Sequence, residues 1–131
     1  MIRVCTESDL TAIMQIWLAA NSKAHSFIPE EYWKDNYPVV EKMLPQAEIY
    51  VYEDDDTNEI AGFIGLTEHY IAGLFVREAA QSRGIGKRLL NYVKEIKSDM
   101  SLSVYQKNTR AVSFYRREGF VVQSENIDDA T

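Results

Sequence analysis

The sequence predicts an α/β fold in which helices cover both faces of a mixed sheet. Two observations support this fold class. Apolar patterns of strand and helix period follow one another in the order βααβββαβαβ, and 46% of the 131 residues are apolar, enough for a real core. We therefore expect one domain over residues 1–131. The single cysteine, Cys5, excludes an internal disulfide and a multi-cysteine metal site, and we expect it to be a small buried thiol.

Two helices are predicted to follow a short first strand, IRVC. Thr6, with Asp9 three residues later, is typical of a helix start, and apolar residues then recur at helical spacing as far as residues 21 and 22, where we expect the helix to end. A second helix is predicted over residues 29 to 44. Pro38 should kink or divide this helix, because proline cannot donate the backbone hydrogen bond.

The rest of the chain is predicted to hold five more strands and two more helices. The strands cover residues 48 to 53, 60 to 68, 70 to 76, 101 to 105 and 120 to 124. The first two of these strands form an antiparallel pair joined by an acidic turn. A helix begins at Ile85, and a last helix is capped by Asn108 and closed by Gly119.

A glycine-containing turn opens the helix that begins at Ile85. Residues 81 to 90 read QSRGIGKRLL, which places two glycines and three cations at a helix start. The N–H groups and dipole of a helix N-terminus favour an anion, and glycine lets a phosphate approach without a Cβ in the way. Leu89 stands where the Rossmann pattern needs glycine, and Arg88 stands where the Walker pattern needs serine or threonine, so neither of those loops is present. A plain tight turn remains the alternative.

Charge is unevenly distributed along the chain. The net charge of −6 argues against a general nucleic-acid binder, and no apolar run is long enough for a membrane span. Residues 77 to 117, however, hold 10 cations and 3 acids, a local balance of +7. This excess fits one compact polyanionic ligand, with a solvated helix face as the alternative. The start of the chain lacks the form of a secretory signal, so we expect a cytoplasmic location.

Several segments together resemble the GNAT superfamily of N-acetyltransferases. The pattern Gln81-x-x-Gly84-x-Gly86 follows the apolar segment LFV and precedes NTRAVSFYRREGF, as the cofactor strand, pyrophosphate helix and last helix do in that family. The start MIR and the run VYQKN.RAVSFY are similar to small stand-alone bacterial members thought to acetylate lysine amines or small amines. The resemblance covers nearly the whole chain. It implies a GNAT-like fold with a mixed, mostly antiparallel central sheet and helices on both faces.

The resemblance implies that acetyl-CoA or coenzyme A binds as a co-substrate. It places the pantetheine arm along the strand of residues 70 to 76 and near Asn108, and the pyrophosphate on the amides of residues 82 to 87, with Arg83 and Lys87 near phosphate oxygens. The implied cofactor-binding residues are Leu74, Phe75, Val76, Gln81, Ser82, Arg83, Gly84, Ile85, Gly86, Lys87, Asn108, Ala111 and Phe114. Glu78 replaces the proline that usually follows the cofactor strand, so the loop entry is less rigid.

The resemblance also indicates which groups carry the chemistry. An amine must lose a proton before it attacks a thioester, the carbonyl oxygen needs a donor such as a backbone N–H of residues 74 to 76, and the leaving thiolate needs a proton. Tyr115 matches the tyrosine that faces the thioester sulfur, and a phenol with a pKa of about 10 is protonated at neutral pH. Glu68 is the predicted general base, with His69 or a water as alternatives. Acceptor contacts are expected from His25, Phe27 and Trp33, and with two histidines and one cysteine a metal site is not expected.

The end of the sequence also departs from the family pattern. The family fold usually ends with a seventh strand that pairs with the sixth, whereas this sequence ends at SENIDDAT. Either the chain is truncated before that strand or the domain lacks it. In both cases the edge of the sixth strand would be open to pairing with a second copy, so a homodimer is one expectation.

The predicted function is transfer of an acetyl group from acetyl-CoA to a primary amine, by direct attack in a ternary complex. The amine would belong to a protein lysine, an N-terminus or a small molecule, and neither nucleic acid nor a membrane is an expected partner. The alternative is a non-catalytic module that senses coenzyme A or a similar nucleotide. Turnover with a panel of amines distinguishes the two functions.

Overall fold

The computed structural model, which describes residues 1–24, 28–81, 83–97, 99–104 and 108–121, has an α/β fold. Its elements follow the predicted order as far as the last helix. The strands are β1 (Ile2–Val4), β2 (Glu48–Glu53), β3 (Ile60–Thr67), β4 (Tyr70–Val76) and β5 (Ser101–Leu102). The helices are α1 (Leu10–Ala24), α2 (Glu30–Met43), α3 (Ile85–Ile96) and α4 (Thr109–Arg117). Short 3₁₀ turns lie at Glu7–Asp9, Leu44–Gln46 and Glu78–Ala80.

The strands form one mixed sheet in the order β1-β2-β3-β4-β5. The pairs from β1 to β4 are antiparallel, and only the β4–β5 pair is parallel. The register places Tyr50 opposite Ile64 and Phe63 opposite Phe75. These pairings confirm the predicted mixed, mostly antiparallel sheet.

Apolar cores cover both faces of the sheet, because strand alternation sends successive side chains of β2 to opposite sides. Ile49 and Val51 belong to the core that α1 and α2 cover, whereas Tyr50 belongs to the core that α3 covers. Leu89 and Leu90 of α3 are fully buried in this second core. Each such side chain stabilises the fold by roughly 1.5–3 kcal/mol. The two cores hold α3 and α1 on opposite faces of the same strands.

A partly buried ion pair ties the first strand to the start of α1. Both guanidinium nitrogens of Arg3 contact the carboxylate of Asp9, at 2.8 and 3.1 Å, and Arg3 also contacts Glu53 of β2 at 2.9 Å. The Asp9 carboxylate accepts two further hydrogen bonds, from the N–H (2.8 Å) and the hydroxyl (2.9 Å) of Thr6. These hydrogen bonds, the Arg3 one above all, lower the pKa of Asp9 to about 2. The predicted helix-start pair of Thr6 and Asp9 is therefore confirmed, although one 3₁₀ turn precedes α1.

The first helix is longer than predicted, and the second is not divided by its proline. α1 continues to Ala24, past the predicted end at residues 21 and 22, because the side chain of Asn21 is buried and donates to the carbonyl of Trp17 at 2.9 Å. α2 is one helix through Pro38. Pro38 is exposed, so water can bind the carbonyl that proline leaves without an intrahelical partner.

The C-terminal elements agree with the prediction at α4 and differ beside it. Asn108 caps the start of α4, and Gly119, at φ 99°, follows its end. There the N–H of Phe120 donates to the carbonyl of Tyr115 (3.0 Å), and the N–H of Gly119 donates to the carbonyl of Arg116 (3.2 Å). These two hydrogen bonds form the Schellman motif. Of the predicted strand 101 to 105, the first two residues form β5, residues 103 and 104 are not in a strand, and residue 105 lies outside the described residues. Of the predicted strand 120 to 124, the first two residues are not in a strand and residues 122 to 124 lie outside the described residues.

In the part of the chain that the structure describes, no helix has the length and apolar character needed to cross a membrane.

The Asp9 ion pair predicts a defined loss of stability in acid. Its folded-state pKa of about 2 lies below the ordinary value of 3.8, so its contribution is complete above pH 3.8 and is lost as the pH falls toward 2. The shift corresponds to about 2 kcal/mol. At pH 7 the Asp9→Asn protein should therefore unfold at a lower denaturant concentration than wild type, and the difference should shrink as the pH falls from about 4 to 2.

Asp35→Asn is the matched control, because Asp35 is an exposed carboxylate of α2. This control should unfold within about 0.5 kcal/mol of wild type at pH 7. An Asp9→Asn protein that behaved like the Asp35→Asn protein at every pH would contradict the role of the Arg3–Asp9 pair.

Candidate functional site

A long cleft of about 1150 Å³ opens where β4, α1, α3 and α4 meet. The last residues of β4, the first turn of α3 and the inner side of α4 all contribute to its lining. Twelve of the residues that the sequence predicted for the site line this one cleft. They are Leu74, Phe75, Val76, Gln81, Gly84, Ile85, Gly86, Lys87, Asn108, Ala111, Phe114 and Tyr115.

Among the described residues, β4 has a strand partner on only one side over most of its length. β3 pairs with the whole strand, but β5 pairs only with Tyr70 and Ile71 at its start. The N–H of Arg77 donates to a carbonyl of β3 at 2.7 Å, so alternation turns the backbone groups of Leu74 and Val76 to the other, open side. Such a row of backbone donors and acceptors can pair with an extended ligand that adds to the sheet like a strand.

The N-terminus of α3 presents backbone N–H groups to the same cleft. Gly84 is the N-cap, at φ 78°, and it has no side chain with which to cap the helix. No described atom lies within 4 Å of the point where a Cβ would stand on Gly84. The first N–H groups of a helix have no intrahelical partner, and the helix dipole adds partial positive charge there. This end of α3 is therefore suited to a phosphate group.

Gln81 connects β4 to α4 across the cleft. Its Nε2 donates to the carbonyl of Val76 at 3.2 Å, and its Oε1 accepts a hydrogen bond from Arg110 at 3.0 Å. Asn108 starts α4, since its Oδ1 accepts the N–H of Ala111 at 3.2 Å. One glutamine thus satisfies a carbonyl on the open edge of β4 and holds the first turn of α4 beside it.

The described lining of the cleft has more positive than negative charge. Five cationic side chains contribute to it, against two carboxylates. The cations are Lys23, Arg77, Lys87, Arg110 and Arg117, and the carboxylates are Glu78 and Glu118. Lys23, in the last turn of α1, forms an ion pair with Glu78, in the 3₁₀ turn after β4. The remaining excess of positive charge favours an anionic ligand.

Tyr115 supplies a protonated phenol to the cleft. Its ring stands edge-on to Phe114, with 5.2 Å between ring centroids, and to Phe120, with 5.6 Å. Burial raises the pKa of Tyr115 to about 12, because the phenolate would be poorly solvated there. The hydroxyl therefore keeps its proton throughout the neutral range and can donate it.

Arg83 and Arg88 point to the sheet side of α3. Arg83, predicted near the phosphate, does not line the cleft; its guanidinium lies 3.4 Å from the carboxylate of Asp54, in the turn after β2. Arg88 donates to the hydroxyl of Tyr52 on β2 at 2.9 Å. Both arginines anchor the start of α3 to the β2–β3 hairpin. Lys87 alone of the predicted phosphate cations lies in the described lining.

Glu68 lies away from the cleft. It is exposed, with φ 55°, in the turn between β3 and β4, and the seven residues of β4 separate it from the Val76 end. At the rise of a strand this separation is about 20 Å. His69, the alternative base, lies in the same turn, with Nδ1 2.8 Å from the carbonyl of Asp99. Neither residue is part of the described lining of the cleft that contains Tyr115, and we do not retain Glu68 as the general base.

Of the three residues predicted to contact the acceptor, the structure describes only Trp33. Trp33 is 7% exposed and packs edge-on against Trp17 at 5.9 Å and Tyr32 at 5.0 Å, so it is a core residue and not an acceptor contact. His25 and Phe27, and Ser82 of the phosphate turn, lie outside the described residues.

Sequence reasoning missed the contribution of α1 to the cleft. Ile16, Ala19, Ala20 and Lys23 all line it, and their spacing of three, four and seven residues places them on one helix face. The two alanines on this helix face were the signal available in the sequence, because small side chains leave room for a ligand.

The chain matches the family model described as Acetyltransferase (GNAT) domain over residues 45–122. The peptidyl-lysine N-acetyltransferase YiaC of Escherichia coli K12 is 39% identical over 122 residues, which cover 92% of this chain and 82% of YiaC. The peptidyl-lysine N-acetyltransferase YjaB of Salmonella typhimurium LT2 is 30% identical over 129 residues, covering 98% and 88% of the two chains.

Solved structures share the fold. The solution structure of apo-form YjaB from Escherichia coli superposes with a TM-score of 0.86 at 25% identity, covering 98% of this chain and 88% of that one. The crystal structure of the PaiA N-acetyltransferase from Thermoplasma acidophilum in complex with coenzyme A has a TM-score of 0.83 at 20% identity, covering 96% and 92%. The family match and the two relatives show that this chain belongs to the GNAT acetyltransferases, as its sequence motifs predicted.

Proposed function

We propose that this acetyltransferase uses acetyl-CoA and transfers the acetyl group directly to a primary amine while both substrates are bound. One observation carries the proposal: the open edge of β4, the bare N-terminus of α3 and the protonated Tyr115 all face a single cleft. These groups match the three parts of an acyl-CoA thioester, namely an extended amide arm, a pyrophosphate and a leaving sulfur.

Coenzyme A would be held mainly by backbone groups. The outward-facing N–H and C=O groups of Leu74 and the N–H of Val76 would pair with the amides of the pantetheine arm, while the C=O of Val76 accepts from Gln81. The first N–H groups of α3, with the ammonium of Lys87 beside them, would hold the pyrophosphate. Arg110 and Arg117, from α4, add positive charge to the same cleft. Because most of these donors belong to the backbone, side-chain substitutions at this site should leave much of the binding intact.

The chain's own groups would then perform the transfer. The thioester supplies an activated acyl group, and a β4 N–H on the open side can stabilise the negative charge that develops on its oxygen. Tyr115 would give its proton to the leaving sulfur. Its pKa of about 12 means that the hydroxyl is protonated at neutral pH. The proton of the attacking amine would pass to water in the cleft or to the carboxylates of Glu78 and Glu118, which both line it.

We further propose a protein lysine as the acceptor. Relatives at 39% and 30% identity over more than nine tenths of this chain are named peptidyl-lysine N-acetyltransferases. The α1 stripe of Ile16, Ala19 and Ala20 offers an apolar wall on which the methylene stem of a lysine can lie. An N-terminal amine or a small amine is the competing acceptor.

An amine panel tests this acceptor class. Release of free thiol from acetyl-CoA should be fastest with peptides that hold an internal lysine and a blocked N-terminus. Peptides with a free N-terminus and no lysine, and small diamines, should give rates at least about tenfold lower, a difference of about 1.4 kcal/mol in transition-state binding. Faster turnover with small amines would overturn the lysine assignment. No turnover with any amine would overturn the proposed function itself.

Coenzyme A should stabilise the protein through its pyrophosphate. At about 100 times Kd a ligand that binds only the folded state adds about 2.7 kcal/mol, which is roughly 10 °C in Tm for a domain of this size. Pantetheine, which lacks the pyrophosphate, should produce a much smaller rise at the same concentration. In the Gly84→Ala protein, a Cβ would stand in the phosphate seat, and Kd for coenzyme A measured by calorimetry should rise roughly tenfold or more.

Gly119→Ala provides the matched control for this measurement. Gly119 also has a positive φ, and no described atom lies within 4 Å of the position that its Cβ would take, but it does not line the cleft. Both alanines should therefore lower Tm by a similar amount through backbone strain. Only Gly84→Ala should weaken coenzyme A binding. Equal stabilisation by pantetheine, or equal affinity in the two variants, would contradict the phosphate role of the α3 N-terminus.

Tyr115→Phe tests the proton donor, since it removes one hydroxyl and keeps the ring contacts with Phe114 and Phe120. We expect kcat to fall by roughly 10²–10⁴-fold, the usual contribution of a positioned acid. Kd for acetyl-CoA should change little. Phe114→Leu is the control for packing, and it should alter Tm more than Tyr115→Phe does. Normal turnover by Tyr115→Phe would show that another group protonates the sulfur.

A further inference from the structure

We propose that Lys23 is a self-acetylation site: in the absence of an acceptor, its amine takes the acetyl group from acetyl-CoA bound in the same molecule. This inference rests on the proposed function, because it requires the cleft to hold acetyl-CoA. It adds an acceptor within the chain itself, on the helix that forms one wall of the cleft.

The position of Lys23 supports this assignment. It is the last residue of the α1 stripe that begins at Ile16 and continues through Ala19 and Ala20, and all four line the cleft together with Tyr115. The two alanines before it have small side chains, so the long methylene stem of Lys23 has room to lie along α1 within the cleft. Its side chain is 56% exposed and therefore free to change rotamer.

The partner of Lys23 is equally informative. Its ammonium pairs with Glu78, which stands in the 3₁₀ turn two residues beyond Val76, at the end of the open edge of β4. The ion pair thus carries the amine of Lys23 from α1 across to the element that would bind the pantetheine arm. A carboxylate next to an ammonium in this cleft can also receive the proton that the amine must lose before it attacks.

The reaction balances with groups already in place. The Nζ lone pair of Lys23 forms a bond to the carbonyl carbon of acetyl-CoA, and the bond between that carbon and sulfur breaks. Of the two protons that the ammonium loses, one leaves to solvent through Glu78, and the other replaces the proton that Tyr115 gives to the sulfur. The products are an acetylated Lys23, coenzyme A as the free thiol and one released proton.

Lys87 also lines the cleft, but its position makes it a poorer acceptor. It lies in the first turn of α3, among the N–H groups proposed for the pyrophosphate, so a bound phosphate would pair with its ammonium and prevent its attack. Acetylation of Lys23 would replace its charge with a neutral amide and remove the ion pair with Glu78.

The test is incubation of the purified full chain with acetyl-CoA and no added amine, followed by intact-mass measurement and peptide mapping over time. Lys34 is the internal control: it is 59% exposed against 56% for Lys23, and it also pairs with a glutamate, Glu30, at 3.5 Å, but it lies on α2 outside the cleft lining. Lys23 should be acetylated at least about tenfold faster than Lys34, because it lines the cleft in which the donor is proposed to bind. The rate per molecule should not change on dilution.

Three variants complete the experiment. Lys23→Arg should remove the fast acetylation, whereas Lys34→Arg should leave it unchanged. Tyr115→Phe should slow acetylation of Lys23 without changing the slow chemical background at Lys34. Equal rates at Lys23 and Lys34, faster modification of Lys87, or a rate that falls on dilution would each overturn the proposal.

Transfer to lysine peptides, measured in parallel on the same protein, separates this proposal from the proposed function. Transfer to peptides without modification of Lys23 would overturn self-acetylation alone. Absence of both reactions would overturn the proposed function and this inference together.

Discussion

The divergence of β5 from β4 is the constraint on which the rest of the site depends. β5 pairs with only the first two residues of β4, so within the part of the chain that the structure describes the strand continues to Val76 with one edge open. A buried backbone group left without a hydrogen bond destabilises the fold by about 1–3 kcal/mol. That edge must therefore contact water or a ligand that makes the same bonds. Gln81 satisfies one carbonyl from within the chain, and the others define a binding surface made of the sheet itself.

The positive charge of the α3 region serves structure as well as binding. Arg83 and Arg88 contact Asp54 and Tyr52 on the sheet side, and Lys94 donates to the carbonyl of Glu118 at 2.6 Å, at the end of α4. These cations tie α3 to the β2–β3 hairpin and to α4. Fewer of these cations are therefore directed at a ligand than the ten cations of residues 77 to 117 suggested. The proposed phosphate site would instead be formed by backbone N–H groups at the start of α3, which Arg83 and Arg88 hold against the β2–β3 hairpin.

Local signals in the sequence predicted the features that depend on local physics. The Asn108 cap and the Gly119 helix end followed from side-chain hydrogen bonding and positive φ, and both are present. Features set by packing across the molecule were not predictable in this way. Asn21 stays helical because a buried hydrogen bond satisfies it, and Trp33 packs in the core because Trp17 lies beside it. The distance of Glu68 from the cleft follows from the length of β4 and the end at which the cleft opens, which residue types alone do not specify.

The way α4 stops has a consequence for the chemistry. Tyr115 is the residue whose carbonyl accepts the terminal N–H of the Schellman motif, and its ring is held between Phe114 and Phe120, the residue that makes that bond. A tyrosine ring has only two soft torsions, so this clamp leaves the hydroxyl little angular freedom. In the proposed function, the end of α4 would orient the proton donor, whereas the start of α3 would receive the phosphate. Turnover and cofactor affinity would then depend on different termini of different helices, and a lineage could adjust either one through substitutions that leave the other untouched.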